Sequence, residues 1–332
     1  MSALGVLGER GDERANRATL ADMYSPIEPY DQGMLDVGDG NQVYWEVSGN
    51  PAGKAAVIVH GGPGGGASGN WRRYHDPEAY RIVLFHQRGC GRSTPDAGLL
   101  ETDLSVNTTR HLIADMELLR EHLNIDTWQL LGVSWGSTLS LAYAQQHRDR
   151  VSEVILFAVT ASRRKELEWI TRDVGRIFPQ EWERFRDAVP VQDRDGNLAA
   201  AYAKLLADPR TRDEAARAWC EWEEAHVSLD PAFRPSSRMQ DPVFRMTFAR
   251  LVTHYWGNDC FLSEEDDLVE RVGLLEGIPG VLVHGRLDVS GPLVTAWELH
   301  RNWPGSELVV VDEGHGGSGM QAHVVAATNR FR

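Results

Sequence analysis

The sequence predicts an α/β fold in which a mostly parallel sheet is interrupted by an inserted block of helices. Residues 55–60 and 81–86 are continuous runs rich in β-branched and other apolar residues, as expected of strands buried on both faces. Stretches with apolar residues at helical spacing, such as 107–123, alternate with these runs, which is typical of parallel sheets. From about residue 161 to 268 the pattern becomes helical, and strand-like runs resume at 280–285.

The individual elements follow from the same patterns. Residues 41–49 alternate between apolar and polar side chains, which predicts a strand. Residues 128–133 predict the strand directly before Ser134, and a helical pattern begins immediately after that serine. In chain order, the predicted strands are 41–49, 55–60, 81–86, 128–133, 151–159, 280–285 and 306–312.

These patterns divide the chain into four predicted segments. Residues 1–22 form an N-terminal extension whose apolar patch is too short for a secretory signal and is followed by charges, so we expect a mobile tail or a solvated helix. Residues 23–160 form the first part of the α/β core. Residues 161–270 form a helical cap laid over the end of the sheet, and residues 271–332 form the second part of the core.

Composition and charge narrow the class of protein. The 332 residues carry a formal net charge of −14 and no basic cluster, which argues against nucleic acid and anionic membranes as partners. No stretch approaches the roughly 20 apolar residues needed to cross a bilayer. Cys90, Cys220 and Cys260 lie far apart, which predicts a cytoplasmic protein without disulfides or a thiolate metal site. We expect neither a cofactor nor a metal. The sequence does not indicate whether the protein is a monomer or an oligomer.

A nucleophilic serine is predicted at Ser134. The segment Gly132-Val133-Ser134-Trp135-Gly136 fits G-x-S-x-G, with a strand before it and a helix after it. The turn is so sharp that a side chain at either glycine would collide with neighbouring backbone, and it presents the serine hydroxyl at the sheet edge. The helix that begins there points its N-terminal N–H groups toward developing negative charge.

A nucleophilic serine needs a base and a carboxylate that orients the base. In this architecture the chain order is serine, acid, histidine, so the base lies late in the chain. His315 lies in a loop after the run 306–312 and is the predicted base. Asp288 follows the run 280–285 and is the predicted acid. Asp312 is an alternative acid, although it lies only three residues before His315 and is predicted to belong to the same strand.

The glycine-rich stretch HGGPGGG, residues 60–66, directly follows a predicted strand. Glycine lets the backbone approach a ligand closely and offer an N–H as one half of an oxyanion hole. The N–H of Trp135, next to Ser134, would supply the other half. A phosphate-binding loop is the competing interpretation, but neither G-x-G-x-x-G nor the lysine of a P-loop is present.

Together these motifs resemble the prolyl aminopeptidases, or proline iminopeptidases, which are serine peptidases of the α/β-hydrolase fold. The resemblance covers nearly the whole chain after the first two dozen residues and includes HGGPGGG, QRGCGRS, GVSWGSTLSLAYAQQH and HGRLDVSGPLVTAWELHRNWP. It implies an α/β-hydrolase fold with an inserted helical cap. It also implies Ser134 as nucleophile, Asp288 as orienting acid and His315 as base, with the N–H groups of Gly62 and Trp135 holding the oxyanion.

The substrate pocket matches this family only in part. The family holds the free α-amino group of its substrate with cap carboxylates, one of them in a W-x-x-W-E motif that ends here at Trp222 and Glu223. A second glutamate normally lies in an Ile-Glu-x-His-Tyr context, where this chain has Val252 and then Tyr255. The resemblance therefore assigns these four residues to the cap side of the substrate pocket.

Further departures lie on the core side of the pocket. The family carries Arg-Gly-x-Phe after the strand that follows the nucleophile helix, with the phenylalanine against the proline ring, and this chain has Phe157 to Thr160 there. The usual aspartate before Gln-Arg-Gly is His86, either a surface substitution or a new titrating group near the site. On the cap side, the missing second glutamate is one of two buried partners of the substrate ammonium group. Its loss is expected to cost about 2–5 kcal/mol of binding free energy, unless Glu221 or Glu224 compensates.

Three functions are consistent with these residues. The first is a serine hydrolase of prolyl-aminopeptidase type that releases proline or a similar N-terminal residue from small peptides through an acyl-enzyme. The second, motivated by Phe157, Thr160 and Val252, is a diverged hydrolase for a modified peptide or specialised metabolite. Its reaction would be amide or ester hydrolysis, endopeptidyl cleavage, or epoxide opening or ring closure. The third is a non-catalytic binding protein, which the complete set of catalytic residues argues against.

Overall fold

The computed structural model describes residues 23–227, 229, 234 and 236–332, and the predicted extension over residues 1–22 lies outside the described residues. Within this part of the chain, eight strands form one sheet in the order β1-β2-β4-β3-β5-β6-β7-β8. The strands are β1 (Asp31–Asp36), β2 (Gln42–Gly49), β3 (Lys54–Val59), β4 (Tyr80–Phe85), β5 (Trp128–Val133), β6 (Val151–Phe157), β7 (Gly280–Gly285) and β8 (Ser306–Val311).

The six neighbouring strands β4, β3, β5, β6, β7 and β8 are parallel. At the other edge of the sheet, β2 pairs antiparallel with both β1 and β4. The predicted strands are all present, with ends that differ by at most two residues. The sequence patterns did not predict β1, because this edge strand is mostly exposed and its residues, DQGMLD, show little apolar character. The predicted α/β-hydrolase fold is confirmed.

The helices alternate with the parallel strands in the core and follow one another in the middle of the chain. Five of the described helices, α3 to α7, lie between β6 and β7. The α-helices are α1 (Thr109–His122), α2 (Trp135–Gln146), α3 (Arg164–Thr171), α4 (Pro179–Asp187), α5 (Leu198–Ala207), α6 (Arg212–His226), α7 (Pro242–Trp256), α8 (Leu293–Asn302) and α9 (Ser318–Arg330).

The inserted helices pack around a cluster of aromatic side chains. Phe185 of α4 stacks on Tyr202 of α5 and on Trp222 of α6, with ring centroids 4.8 and 5.2 Å apart. Trp219 meets Phe185 and Tyr202 edge to face at 5.5 and 5.2 Å. Aromatic pairs of this geometry add to the burial of their area, so this cluster fixes α6 against its neighbours. The exact limits of the cap, 161–270, stay a prediction.

The parallel arrangement determines where a site can form. The carboxyl ends of β3, β5, β6, β7 and β8 meet at one edge of the sheet, and ligands of open parallel sheets bind there. The glycine-rich stretch follows β3 and Ser134 follows β5. The predicted acid, Asp288, follows β7, and the predicted base, His315, follows β8. The topology therefore brings together residues that lie far apart in sequence.

Candidate active site

Ser134 occupies the tight turn between β5 and α2. Its backbone has φ +53° and ψ −125°, a conformation that is strained for a residue with a side chain. A Cβ at Gly136 would lie 2.0 Å from the carbonyl oxygen of Val59, and one at Gly132 would lie 2.5 Å from the carbonyl oxygen of Gly136. Gly136 is therefore required for the turn to pass this close to β3, and Gly132 is required for the turn to close on itself.

His315 joins Ser134 to Asp288. Nε2 of His315 lies 2.9 Å from Oγ of Ser134, and Nδ1 lies 2.7 Å from Oδ2 of Asp288. The backbone N–H of Gly291 donates to Oδ1 of Asp288 at 2.9 Å. Because the buried carboxylate accepts the proton on Nδ1, Nε2 of the neutral ring is left to accept the proton of the serine hydroxyl.

The loops after β7 and β8 carry Asp288 and His315, and they lie against each other. A Cβ at Gly285 would be 2.1 Å from the carbonyl oxygen of Gly314, so the two loops approach more closely than any other residue there would allow. Since β7 and β8 are parallel neighbours, their carboxyl ends deliver the two side chains to the same place.

The alternative acid, Asp312, points away from this relay. Its side chain is 85% exposed and lies 3.1 Å from the guanidinium of Arg286 at the surface. The side chain of Asp288, in contrast, is fully buried beside His315. Of the two aspartates considered from the sequence, only Asp288 contacts His315.

The charges of this relay shift its pKa values in opposite directions. Burial by itself lowers the pKa of His315, but the charge of Asp288, the hydrogen bond to it and the charge of Glu223 together raise the pKa above the usual 6.5. Burial by itself raises the pKa of Asp288, but the charge and hydrogen bond of His315 outweigh it and lower the pKa below 3.8. The two shifts express mutual stabilisation of an imidazolium and a carboxylate.

Gly62 and Trp135 line the cavity that contains Ser134. Gly62 has φ +122°, a region that strongly favours glycine. A Cβ there would lie 2.5 Å from the backbone nitrogens of Gly64 and Gly65. Only glycine therefore lets this loop fold back tightly beside the serine.

His60 and Gln87 link the glycine-rich loop to Trp135. Nε2 of His60 accepts the backbone N–H of Gln87 at 3.0 Å, so Nδ1 carries the proton and donates to the carbonyl of Gly61 at 2.9 Å. The Gln87 amide donates to the carbonyl of His60 at 2.8 Å and accepts the indole N–H of Trp135 at 3.0 Å. The sequence motifs contained both residues but gave no indication of this bridge.

Two chambers meet at Ser134. The inner chamber has a volume of about 60 Å³ and the outer chamber about 330 Å³. Both are lined by Gly62, Ser134, Glu223, Val227 and His315. The inner chamber is also lined by Thr160, Ser162, Glu166, His226, Trp256 and Ser290. The outer chamber is also lined by Trp71, Glu224, Arg238, Met239, Phe244 and Phe248. Trp135, Leu167 and Ile170 complete the inner wall, which therefore mixes polar and apolar side chains, whereas the outer wall is largely apolar.

Glu223 places a carboxylate between the two chambers. It lies on α6, with its side chain 14% exposed, and Nε1 of Trp219 donates to its Oε1 at 3.1 Å. Burial raises the pKa of Glu223 to about 7, although the hydrogen bond from Trp219 and the charge of His315 act in the opposite direction. A buried carboxylate with so little compensation attracts a cation.

Trp222 and Tyr255 support the walls from behind. The indole N–H of Trp222 donates to the carbonyl of Ile170 at 3.2 Å. Tyr255 donates to Oδ1 of Asn107 at 2.8 Å and lies edge-on to Trp135, with ring centroids 4.9 Å apart. Neither is among the described residues that line a chamber. Both side chains are used for packing, so they position the site without facing it.

The three remaining pocket candidates occupy different places. Phe157 is buried beneath the sheet edge, with its ring 5.6 Å from that of Tyr74, and Val252 is fully buried in the core. Neither belongs to the described lining of the chambers. Thr160 does line the inner chamber, and its hydroxyl donates to the carbonyl of Ser134 at 3.0 Å. The structure thus brings only Thr160 of these three to the reacting serine.

The contacts of His86, Glu221 and Glu224 show where these three side chains lie relative to the chambers. His86 is buried, accepts the N–H of Arg92 on Nδ1 at 2.8 Å and donates from Nε2 to the carbonyl of Ala67 at 3.0 Å. Burial lowers the pKa of His86, which favours the neutral ring, and its two hydrogen bonds hold the neighbouring loops together. Glu221 lines a cleft on the far side of α6, whereas Glu224 lines the outer chamber.

The described part of the chain contains neither a cluster of metal ligands nor a helix suited to span a membrane. There, no group of three or more histidine, cysteine, aspartate or glutamate side chains is arranged to hold a metal ion. Among the helices described, none is long and apolar enough to cross a membrane. Cys90, Cys220 and Cys260 are buried free thiols.

Comparisons with known proteins identify the family of this chain. Residues 55–318 match the alpha/beta hydrolase fold family. The chain is 54% identical over 317 residues to a probable proline iminopeptidase of Streptomyces coelicolor, covering 93% of this chain and 97% of that protein. It is 43% identical over 323 residues to a proline iminopeptidase of Arabidopsis thaliana, covering 96% and 83%.

A solved structure supports the fold. The proline iminopeptidase of Mycobacterium smegmatis superimposes with a TM-score of 0.59 at 18% identity, covering 90% of this chain and 98% of that one. At this identity the likeness concerns the fold alone, whereas the sequence relatives reach 54% identity over nearly their full length. The chain belongs to the proline iminopeptidase family of the alpha/beta hydrolase fold.

Proposed function

We propose that this protein is a serine hydrolase that removes proline or a similar residue from the N-terminus of small peptides. One observation carries the proposal: the hydrogen-bonded relay from Asp288 through His315 to Ser134 opens on the same chamber as the buried carboxylate of Glu223. A nucleophile beside an amine-binding group is the arrangement that an aminopeptidase requires. The buried free thiols fit the cytoplasmic location expected from the sequence.

In the first half of the reaction, Oγ of Ser134 attacks the carbonyl carbon of the N-terminal residue, and Nε2 of His315 takes the hydroxyl proton. The N–H groups of Gly62 and Trp135 stabilise the negative charge on the carbonyl oxygen. When the C–N bond breaks, the imidazolium of His315 gives its proton to the leaving amine. The N-terminal residue is then held as an ester of Ser134.

In the second half, a water molecule gives a proton to His315 and attacks the ester carbonyl. The C–O bond to Ser134 breaks, the serine recovers its proton from His315, and the free amino acid leaves. Asp288 stays ionised throughout and stabilises the imidazolium that forms in each half-reaction. Glu223 holds the α-ammonium group, and we place the N-terminal residue in the inner chamber beside it.

A matched substrate panel tests this function. We expect the enzyme to hydrolyse L-prolyl p-nitroanilide and to leave N-acetyl-L-prolyl p-nitroanilide intact, because the acetylated nitrogen carries no charge for Glu223. Release of p-nitroaniline measures both, and L-alanyl p-nitroanilide reports the tolerance of the inner chamber. Ser134→Ala serves as the control for contaminating peptidases. Equal hydrolysis of the free and acetylated substrates would contradict the proposal.

The pH profile provides a second test. His315 must be neutral to accept a proton, and its pKa is raised above 6.5, while Glu223 must be ionised and its pKa is raised to about 7. Both groups become inactive as the pH falls, so kcat/KM for prolyl anilide should fall on the acid side with a slope approaching two. An acetyl ester without an amine requires only His315 and should fall with a slope of one. Identical slopes for the two substrates would contradict a role for ionised Glu223.

A second candidate function is favoured by two hydroxyl side chains in the wall of the inner chamber. Thr160 and Ser162 line the inner chamber, and Val252 lies in the core where the family carries a second glutamate. These two hydroxyl groups suit an acyl group more polar than proline, as in a modified peptide or specialised metabolite. Turnover of p-nitrophenyl acetate without turnover of any free-amine anilide would favour this candidate over the aminopeptidase.

A further inference from the structure

His226 lines the inner chamber, and one of its ring nitrogens has no hydrogen-bond partner among the described residues. It is the last residue of α6, one helical turn after Glu223, so the two side chains share a face of the helix. Its side chain is 1% exposed, and Nε2 has no hydrogen-bond partner among the described residues. That nitrogen lies 3.8 Å from Oε2 of Glu223. A buried polar atom without a partner is costly and calls for an explanation.

The hydrogen bonds of His226 indicate what Nε2 can offer. Nδ1 lies 2.9 Å from Oγ of Ser290, and this hydroxyl lies 3.4 Å from the carbonyl oxygen of His226 itself. In the tautomer with the proton on Nδ1, Nδ1 donates to Ser290, the hydroxyl donates to the carbonyl, and Nε2 has a free lone pair beside Glu223. A bound ammonium group between Nε2 and Glu223 favours this tautomer, because an N–H on Nε2 would point at the cation. Burial lowers the pKa of His226 to about 3, so the ring is neutral.

The spacing of the two acceptors suits a single ammonium nitrogen. Two atoms 3.8 Å apart can both lie about 2.9 Å from one nitrogen, the usual hydrogen-bond distance. An N-terminal proline in its protonated form has two N–H bonds, one for Oε2 of Glu223 and one for Nε2 of His226. A single carboxylate also matches the single positive charge of the ligand.

We propose that the neutral imidazole of His226 and the carboxylate of Glu223 together bind the substrate's N-terminal ammonium group. This inference rests on the proposed aminopeptidase function and names the residue that completes its amine site. Val252 leaves no carboxylate at the position where the family carries its second glutamate, and a neutral acceptor on the neighbouring turn of α6 takes over that hydrogen bond.

Glu224 is the competing second acceptor. Its Oε1 is also without a partner among the described residues, but the residue after Glu223 points about 100° further around the helix. It lines the outer chamber, whereas Glu223 and His226 line the inner one together. An ammonium group in the inner chamber therefore meets His226 before it meets Glu224.

Calorimetry with L-prolinamide tests the assignment without turnover, in a Ser134→Ala background. His226→Asn retains an atom that can bond Ser290 but is too short to reach the Nε2 position, whereas His226→Gln reaches it. We expect His226→Asn to weaken prolinamide binding about 10- to 100-fold, the range for a hydrogen bond to a charged group. His226→Gln should restore most of the affinity, and Glu224→Gln should leave it unchanged.

The control ligand is cyclopentanecarboxamide, which has the same ring without the nitrogen. Its binding should not distinguish His226→Asn from the parent. Equal weakening of both ligands, loss of prolinamide affinity in Glu224→Gln, or no detectable prolinamide binding to the parent would overturn the assignment. The proposed function fails by a separate result, absence of prolyl anilide turnover by the wild-type enzyme, and the binding comparison remains decisive for His226 in that case.

Discussion

Replacing Asp288 with asparagine is expected to lower kcat for prolyl anilide about 10⁴-fold. The carboxylate accepts the Nδ1 proton of His315 at 2.7 Å and is fully buried. An asparagine amide can present its NH₂ to Nδ1 instead, which places the imidazole proton on Nε2 and leaves no lone pair for the hydroxyl of Ser134. It also removes the negative charge that stabilises the imidazolium. Steady-state kinetics above the acid limb measure the loss.

The matched control is Asp312→Asn. This aspartate lies three residues from His315 and was the alternative acid by sequence, yet its side chain is exposed and contacts Arg286. We expect its replacement to leave kcat unchanged. A large loss in Asp312→Asn together with near-normal activity in Asp288→Asn would reverse the assignment of the acid. Circular dichroism of both variants separates loss of chemistry from loss of fold.

The relay could be predicted because each of its members follows a strand in the parallel part of the sheet. Such strands are recognisable as short β-branched runs, and parallel neighbours must deliver their carboxyl ends to one edge of the sheet. This reasoning placed Ser134, Asp288 and His315 together although 181 residues separate the first from the last. Strand β1 escaped prediction because an exposed edge strand has no buried apolar run to recognise.

The pocket could not be predicted to the same depth because sequence position does not fix the direction of a side chain. Trp222 and Glu223 are neighbours on α6, yet Trp222 packs into the aromatic cluster and Glu223 faces the chambers. The proposed role of His226 depends on Nε2 having no hydrogen-bond partner among the described residues, and the sequence does not indicate which side-chain atoms lack a partner. The bridge from His60 through Gln87 likewise depends on contacts between distant segments.

Replacing Glu223 with glutamine is expected to reduce kcat/KM for prolyl anilide through loss of the charge that holds the substrate ammonium. Removing one partner of a buried charged pair costs about 2–5 kcal/mol, which corresponds to about 30- to 4000-fold. Glutamine keeps the shape of the side chain and can still accept the Trp219 indole proton, so the helix should be undisturbed. The comparison of kcat/KM between wild type and variant measures the effect.

Hydrolysis of p-nitrophenyl acetate serves as the internal control, since this ester has no amine. Its rate above the acid limb should not change in Glu223→Gln, while its acid limb should move to lower pH because the charge of Glu223 helps raise the pKa of His315. Glu224→Gln and Glu221→Gln are the matched variants on the same helix and should leave prolyl anilide turnover intact. If Glu224→Gln instead caused the larger loss, the ammonium group would lie in the outer chamber, and the N-terminal residue would approach Ser134 from the opposite side.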